Sequence, residues 1–140
     1  MTPEIASPPT DAQVPAPLAG RTILVVEDDP QVMRALCRLL RSSGAVLFRA
    51  TSGSEALALH LDALDLLLTD GNLGDMHAIE LIPLLMQRPS LAAARVLVYT
   101  GDRDPSISQR LFLAGADNVL FKPAPANQLR SVVQRMVLGQ

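Results

Sequence analysis

Four apolar runs in this chain each end on a residue suited to one reaction. Ile23-Leu24-Val25-Val26 ends on Glu27 and Asp28, and Leu66-Leu67-Leu68-Thr69 ends on Asp70. Val96-Leu97-Val98-Tyr99 ends on Thr100, and Val119-Leu120-Phe121 ends on Lys122. If the runs are neighbouring parallel strands, three carboxylates, a hydroxyl and an ammonium converge at one edge of one sheet. Two like charges about 4 Å apart repel by roughly 4 kcal/mol at an effective dielectric of about 20. Three carboxylates therefore call for a hard, oxygen-seeking cation. Mg²⁺ suits this, since it usually takes one or two carboxylates together with waters and phosphate oxygens. With Mg²⁺ and Lys122 in place the formal charge of the group cancels.

The reacting group follows by elimination. The chain has no Walker-type glycine loop and no G-x-G-x-x-G, so nucleotide-binding signatures are absent. Its two histidines, His60 and His77, stand away from the strand ends, and a helix-start histidine such as His77 is a poor phosphoryl relay. A carboxylate can itself attack phosphorus and give an acyl phosphate. Asp70 is the candidate, because its strand would be central. Phosphorylation would take its charge from −1 to about −2. Mg²⁺ and Lys122 would hold the added oxygens, Thr100 would donate its hydroxyl to one of them, and Gly101 would leave room. Positioning plus electrostatic stabilisation is most of what phosphoryl transfer asks of a protein.

The elements that must position these groups are legible from Arg21 onward. Asp29 can cap a helix with Pro30 at its first position. Val32, Met33, Leu36, Leu39 and Leu40 then recur at helical spacing until Gly44. Val46-Leu47-Phe48 is a second strand, and Ser52 to about Leu61 a second helix. A third helix carries Ile79, Ile82 and Leu85 on one face, with Pro83 expected to kink it or delay its start. Pro105 begins a fourth helix that ends near Gly115, and Pro125 begins a fifth with Leu129, Val132, Val133 and Met136 inward. Short strands that are apolar on successive residues belong in a parallel sheet covered on both faces. Five such units make an open, doubly wound α/β domain, which binds its ligands outside the carboxyl ends of the strands. Only the second strand ends without a chemical group, which suits an edge position.

Bulk composition narrows the function classes. One domain of 140 residues, 49% hydrophobic, has enough apolar material for a core, and 3% aromatic content means Leu, Val, Ile and Ala build it. A net charge of −2 offers no basic excess for a phosphate backbone, so nucleic acid is not an expected partner. Cys37, the sole cysteine, fits a reducing cytoplasm and a buried helix face. No apolar stretch approaches the roughly 20 residues that span a bilayer, so no membrane association is expected. Residues 1–20, with Pro3, Pro8, Pro9, Pro15 and Pro17, read as a disordered tail or linker ahead of a domain at 21–140.

Several motifs now stand in order: Ile23-Leu24-Val25-Val26-Glu27-Asp28-Asp29-Pro30, Asp65-Leu66-Leu67-Leu68-Thr69-Asp70, Val96-Leu97-Val98-Tyr99-Thr100-Gly101, and Gly115-Ala116-Asp117-Asn118-Val119-Leu120-Phe121-Lys122-Pro123. Together they resemble the receiver domain of two-component response regulators, over about Arg21 to Leu138. The resemblance implies a flavodoxin-like fold with strand order 2-1-3-4-5 and five helices. It implies that Asp70 is the phosphoacceptor and that Glu27, Asp28, Asp70 and the backbone carbonyl of Asn72 hold Mg²⁺. It further implies that Thr100 is the switch, that Lys122 contacts the phosphate and that Lys122-Pro123 is cis. The implied phosphodonor is a sensor histidine kinase or a histidine phosphotransfer protein, and a downstream protein would read the phosphorylated state. Such a domain is a signalling module that catalyses its own phosphoryl transfer and dephosphorylation rather than an enzyme.

The chain departs from the family pattern at four places. Val119 stands where an aromatic is usual, Gly74 where proline is usual, His77-Ala78 where Asp-Gly is common, and Ala124 where a second aromatic is common. Gly74 is expected to make its loop more flexible. The chain ends two residues after the fifth helix, so no attached output domain is expected. Two other functions compete. A phosphate-independent pseudo-receiver would explain Val119 and Ala124 but not the intact charged set. A Mg²⁺-dependent aspartyl-phosphate phosphatase needs an acid two residues after its nucleophile, where Asn72 stands and cannot cycle a proton.

Overall fold

The computed structural model describes residues 16–140. Five strands, β1 (Thr22–Val26), β2 (Val46–Ala50), β3 (Leu66–Thr69), β4 (Arg95–Thr100) and β5 (Asn118–Phe121), alternate with five helices. These are α1 (Pro30–Ser42), α2 (Gly53–Ala58), α3 (Ala78–Met86), α4 (Pro105–Ala114) and α5 (Ala126–Leu138). All strand pairs are parallel and the order is β2-β1-β3-β4-β5, the flavodoxin-like arrangement.

Alternation along each strand sorts the core into two layers. Leu24, Val26, Leu67, Val96 and Val98 point to the face covered by α2, α3 and α4, where Leu81, Ile82, Leu85 and Leu111 meet them. Ile23, Val25, Leu66, Leu68, Leu97 and Tyr99 point to the face covered by α1 and α5, where Leu36, Leu40, Leu129 and Val133 meet them. Cys37 belongs to this second layer, as its place on the α1 pattern suggests. The central strands β1, β3 and β4 are almost wholly buried, whereas the edge strands β2 and β5 are only partly so.

Local chemistry sets the helix ends. Asp29 accepts from the N–H groups of Gln31 (2.8 Å) and Val32 (3.4 Å), with Pro30 at the first helical position. Gly44 follows α1 at φ +87°, a conformation that glycine adopts without a Cβ penalty. Three expectations need correction. First, α2 stops at Ala58 rather than near Leu61, because the Arg88 guanidinium takes the carbonyls of Leu57 and Leu59 and fixes an extended chain there. Second, Pro83 does not delay α3, which starts at Ala78 and runs through it. An interior proline costs about 3 kcal/mol. Burying Leu81, Ile82 and Leu85 gives about 1.5–3 kcal/mol each, so packing wins. Third, the packed unit begins before Arg21. Leu18 is 0% exposed and donates its N–H to the Ser43 carbonyl at 2.8 Å, so the apolar core recruits residues assigned to the tail. The rest of that expected tail, residues 1–15, lies outside the described residues.

Candidate functional site at the strand ends

Sheet register brings the chemistry together. Val26 pairs with Thr69, so the next residues, Glu27 and Asp70, sit side by side at the ends of neighbouring strands. Thr69 pairs with Val98 and Thr100 with Phe121, which places Thr100 and Lys122 at the same edge. The Lys122 N–H also donates to the Thr100 carbonyl at 2.8 Å. From edge strand β5 the Lys122 side chain extends back across β4 and β3. Its ammonium passes 5.5 Å from the centre of the Tyr99 ring. It then donates to Glu27 Oε1 at 2.8 Å and lies 3.3 Å from Asp70 Oδ1.

Glu27, Asp28 and Asp70 each offer a carboxylate oxygen within 4.8 Å of the other two. Their exposure is graded, with Glu27 1% exposed, Asp70 partly buried and Asp28 open to solvent. Burial raises the Glu27 pKa above the ordinary glutamate range, against the hydrogen bond from Lys122, and the nearby Asp70 carboxylate adds to the rise. Burial works against the Lys122 charge as well. The hydrogen bond to Glu27 and the field of Asp70 outweigh it, and the lysine pKa is raised. A buried acid and a lysine thus stabilise each other's charged form beside a group that is open on one side.

The remaining expected residues lie close by. Thr100 is buried, and its Oγ1 accepts from the Asp102 N–H at 3.1 Å. Asn72 stands two residues after Asp70, exposed between the buried Gly71 and Leu73, and folds its side-chain oxygen back onto the Gly74 N–H at 3.1 Å. Tyr99 packs beneath the ammonium and accepts from the Ala124 N–H at 3.0 Å. The Lys122-Pro123 bond is cis, as the resemblance implies. His77 caps α3, its Nδ1 accepting from the Ile79 N–H at 3.1 Å. His60 is exposed, its Nε2 3.9 Å from Asp62 Oδ1.

Two residues escaped the sequence reading. Gly71 donates its N–H to Asp70 Oδ1 at 2.7 Å, and its missing side chain makes room for Thr100. A Cβ on Gly71 would stand 2.6 Å from Thr100 Oγ1 and 3.0 Å from its Cβ. Asp75 accepts from the N–H groups of Gly53 and Ser54, which hold its pKa below the ordinary aspartate value. A glycine directly after Asp70 was the only available sign of the first. Nothing local could reveal the second, whose partners lie 22 and 21 residues upstream.

The donor set fits a hard divalent cation, with oxygen ligands only, two of them partly or fully exposed, and one ammonium already balancing the buried acid.

The same arrangement recurs in known proteins. Residues 23–134 match the family described as the response regulator receiver domain. The chain is 31% identical over 126 residues to a 14.6 kDa protein of Leptolyngbya boryana, covering 87% of this chain and 94% of that one. Other relatives are far longer. The sensor histidine kinase TmoS of Ectopseudomonas mendocina is 28% identical over 82% of this chain, which spans 12% of that protein. Among solved structures, the signal receiver domain of a histidine kinase from Syntrophus aciditrophicus superposes with a TM-score of 0.75 at 30% identity, over 86% of this chain and 92% of that one. A response regulator from Burkholderia pseudomallei, solved with a phosphorylated aspartic acid, a calcium ion and citrate, gives 0.71 at 29% identity, over 81% and 71%. With a family match across most of its length, a receiver topology and the charged set in register, the chain belongs to the response regulator receiver domains.

Proposed function

We propose that this domain accepts a phosphoryl group on Asp70 in a Mg²⁺-dependent reaction and thereby switches a protein-binding surface. One observation carries the reading: three carboxylates within 4.8 Å at the ends of β1 and β3, with the Lys122 ammonium bridging Glu27 and Asp70. Its Burkholderia relative, solved with a phosphorylated aspartic acid and a calcium ion, supports it.

In the proposed reaction an Asp70 carboxylate oxygen attacks phosphorus. The phosphorus–nitrogen bond of a phosphohistidine breaks, and the released imidazole takes up a proton. The Gly71 N–H and Lys122 hold Asp70 Oδ1 and fix the attacking carboxylate. Glu27, Asp28, Asp70 and the Asn72 carbonyl would hold Mg²⁺, which when bound neutralises charge on the transferring oxygens. Lys122 contacts the added phosphoryl group. Thr100 exchanges its bond from the Asp102 N–H for one in which its hydroxyl donates to a phosphoryl oxygen. Asn72 borders the path of an attacking water and sets the lifetime of the acyl phosphate.

The donor is a sensor histidine kinase or histidine phosphotransfer protein, in keeping with relatives that are receiver parts of sensor kinases. No described helix is long and apolar enough to cross a membrane, and a cytoplasmic setting suits such donors. Beryllofluoride mimics the phosphoryl group and tests the reading directly. The domain is expected to bind it at millimolar Mg²⁺, with amide shifts at Gly71 and Thr100. Absence of binding would overturn the proposal.

A further inference from the structure

The structure assigns a positioning role to Asp75: it anchors the loop between Asp70 and α3, so that affinity for Mg²⁺ depends on a carboxylate outside the ligand set. The inference rests on the reading of Asp70 above.

The loop packs on the core through Leu73, and it contains one permissive point and one side chain that hydrogen-bonds outside it. Gly74 sits at φ +87°, a conformation that favours glycine, with open space where a Cβ would stand and its N–H bonded only within the loop, to Asn72 Oδ1. The next residue, Asp75, accepts from Gly53 N–H at 3.0 Å and from Ser54 N–H at 2.9 Å, at the start of α2. Met76 lies over Gly53 so closely that a Cβ there would overlap its side chain. Between Asp70 and this anchor lie Gly71, which touches both Asp70 and Thr100, and Asn72. Two backbone–backbone bonds close the loop, Leu73 N–H to the Met76 carbonyl at 3.0 Å and Ala78 N–H to the Gly71 carbonyl at 2.8 Å. The flexibility expected from Gly74 is therefore opposed one residue later.

The far end of α2 offers a built-in control. Arg88 donates to the carbonyls of Leu57 and Leu59. An acid at the start and a cation at the end of a short helix both complement its dipole. Both clamps come from the chain that follows Asp70, yet only Asp75 belongs to the loop beside it. Loss of either clamp loosens α2, and loss of Asp75 alone frees the loop. A ligand carbonyl on a freed loop must be ordered when metal binds, and that ordering costs affinity.

The test compares Asp75→Ala with Arg88→Lys in the full chain. Mg²⁺ titrations are followed at the amides of Gly71 and Asn72, and hydrogen exchange is measured at Leu73 and Ala78 without metal. Asp75→Ala is expected to weaken Mg²⁺ binding about five- to tenfold, toward the lower end for residues that orient metal ligands. It should also speed exchange at both amides about tenfold or more. Arg88→Lys should leave both readouts within about twofold of the parent. Unchanged exchange in Asp75→Ala, or an equal Mg²⁺ loss in Arg88→Lys, would overturn the role of Asp75. A parent chain that binds no Mg²⁺ would instead sink the proposed function, and the exchange measurement would still decide the anchor.

Discussion

The ends of β1 and β3 and the edge formed by β5 and α4 are built on opposite terms. At the strand ends the groups restrain one another. Glu27 is buried against Lys122, Lys122 reaches Asp70, Asp70 accepts from Gly71, and Gly71 packs on Thr100. At the β5–α4 edge the packing is more open, with Leu111 the one buried residue of α4. All four residues of β5 are only partly buried, and Phe112 and Leu113 are 49% and 82% exposed. A cavity of about 420 Å³ lies between Arg103, Pro105, Ser108, Phe112, Val119 and Phe121. The Ser108 hydroxyl is buried there with no partner among the described residues. The difference teaches that the strand-end cluster and the β5–α4 edge are held by different means. Charged groups fix one another through directed contacts, whereas an apolar edge is only as tight as the volume its side chains supply, and Val119 supplies little.

That contrast can be broken first at Asp70. Asp70→Asn removes the proposed nucleophile and should abolish beryllofluoride binding, measured by amide shifts at millimolar Mg²⁺, while the fold persists. Lys122→Met comes next. Breaking a fully buried ion pair costs roughly 3–5 kcal/mol. Lys122 keeps 22% of its side chain in water, so about 2 kcal/mol is expected from urea unfolding without metal. The pH dependence follows from the raised lysine pKa. The stabilisation is fully present below the ordinary value of 10.5 and is lost as pH rises through the higher folded value. Urea midpoints that do not fall in that alkaline window would contradict the pairing.

Smaller effects sharpen the comparison. Gly71→Ala drives a Cβ to 2.6 Å from Thr100 Oγ1, and overpacking of this kind costs about 1–3 kcal/mol. Thermal unfolding should show the loss, and the amide of Asp102 should shift as Thr100 is displaced. Val119→Phe, in contrast, has a cavity to enter. It should change stability by less than about 1 kcal/mol and leave Mg²⁺ affinity unaltered, as measured by titration. A large effect of this substitution on Mg²⁺ binding would show that the two regions are coupled.

Much of this was legible in the sequence. The strand runs, the cap at Asp29, the helix start at Pro105, and the polar residues at the strand ends all follow from short-range chemistry. Glu27, Asp28, Asp70, Thr100 and Lys122 arrive together as that reading requires. The errors share one cause. Leu18 looks like tail and is core, α2 ends early under Arg88, and α3 starts at Ala78 with no delay from Pro83, because contacts distant in the chain outweighed local preference.

The sequence by itself determined the α/β alternation and which side chains stand at strand ends, because period, capping and glycine placement act over a few residues. Only the tertiary structure decided which oxygen Lys122 meets, how deeply Glu27 is buried, how Gly71 yields to Thr100 and where Asp75 is anchored. Those contacts join segments up to 95 residues apart, and their strength depends on distance and burial, which no local pattern encodes.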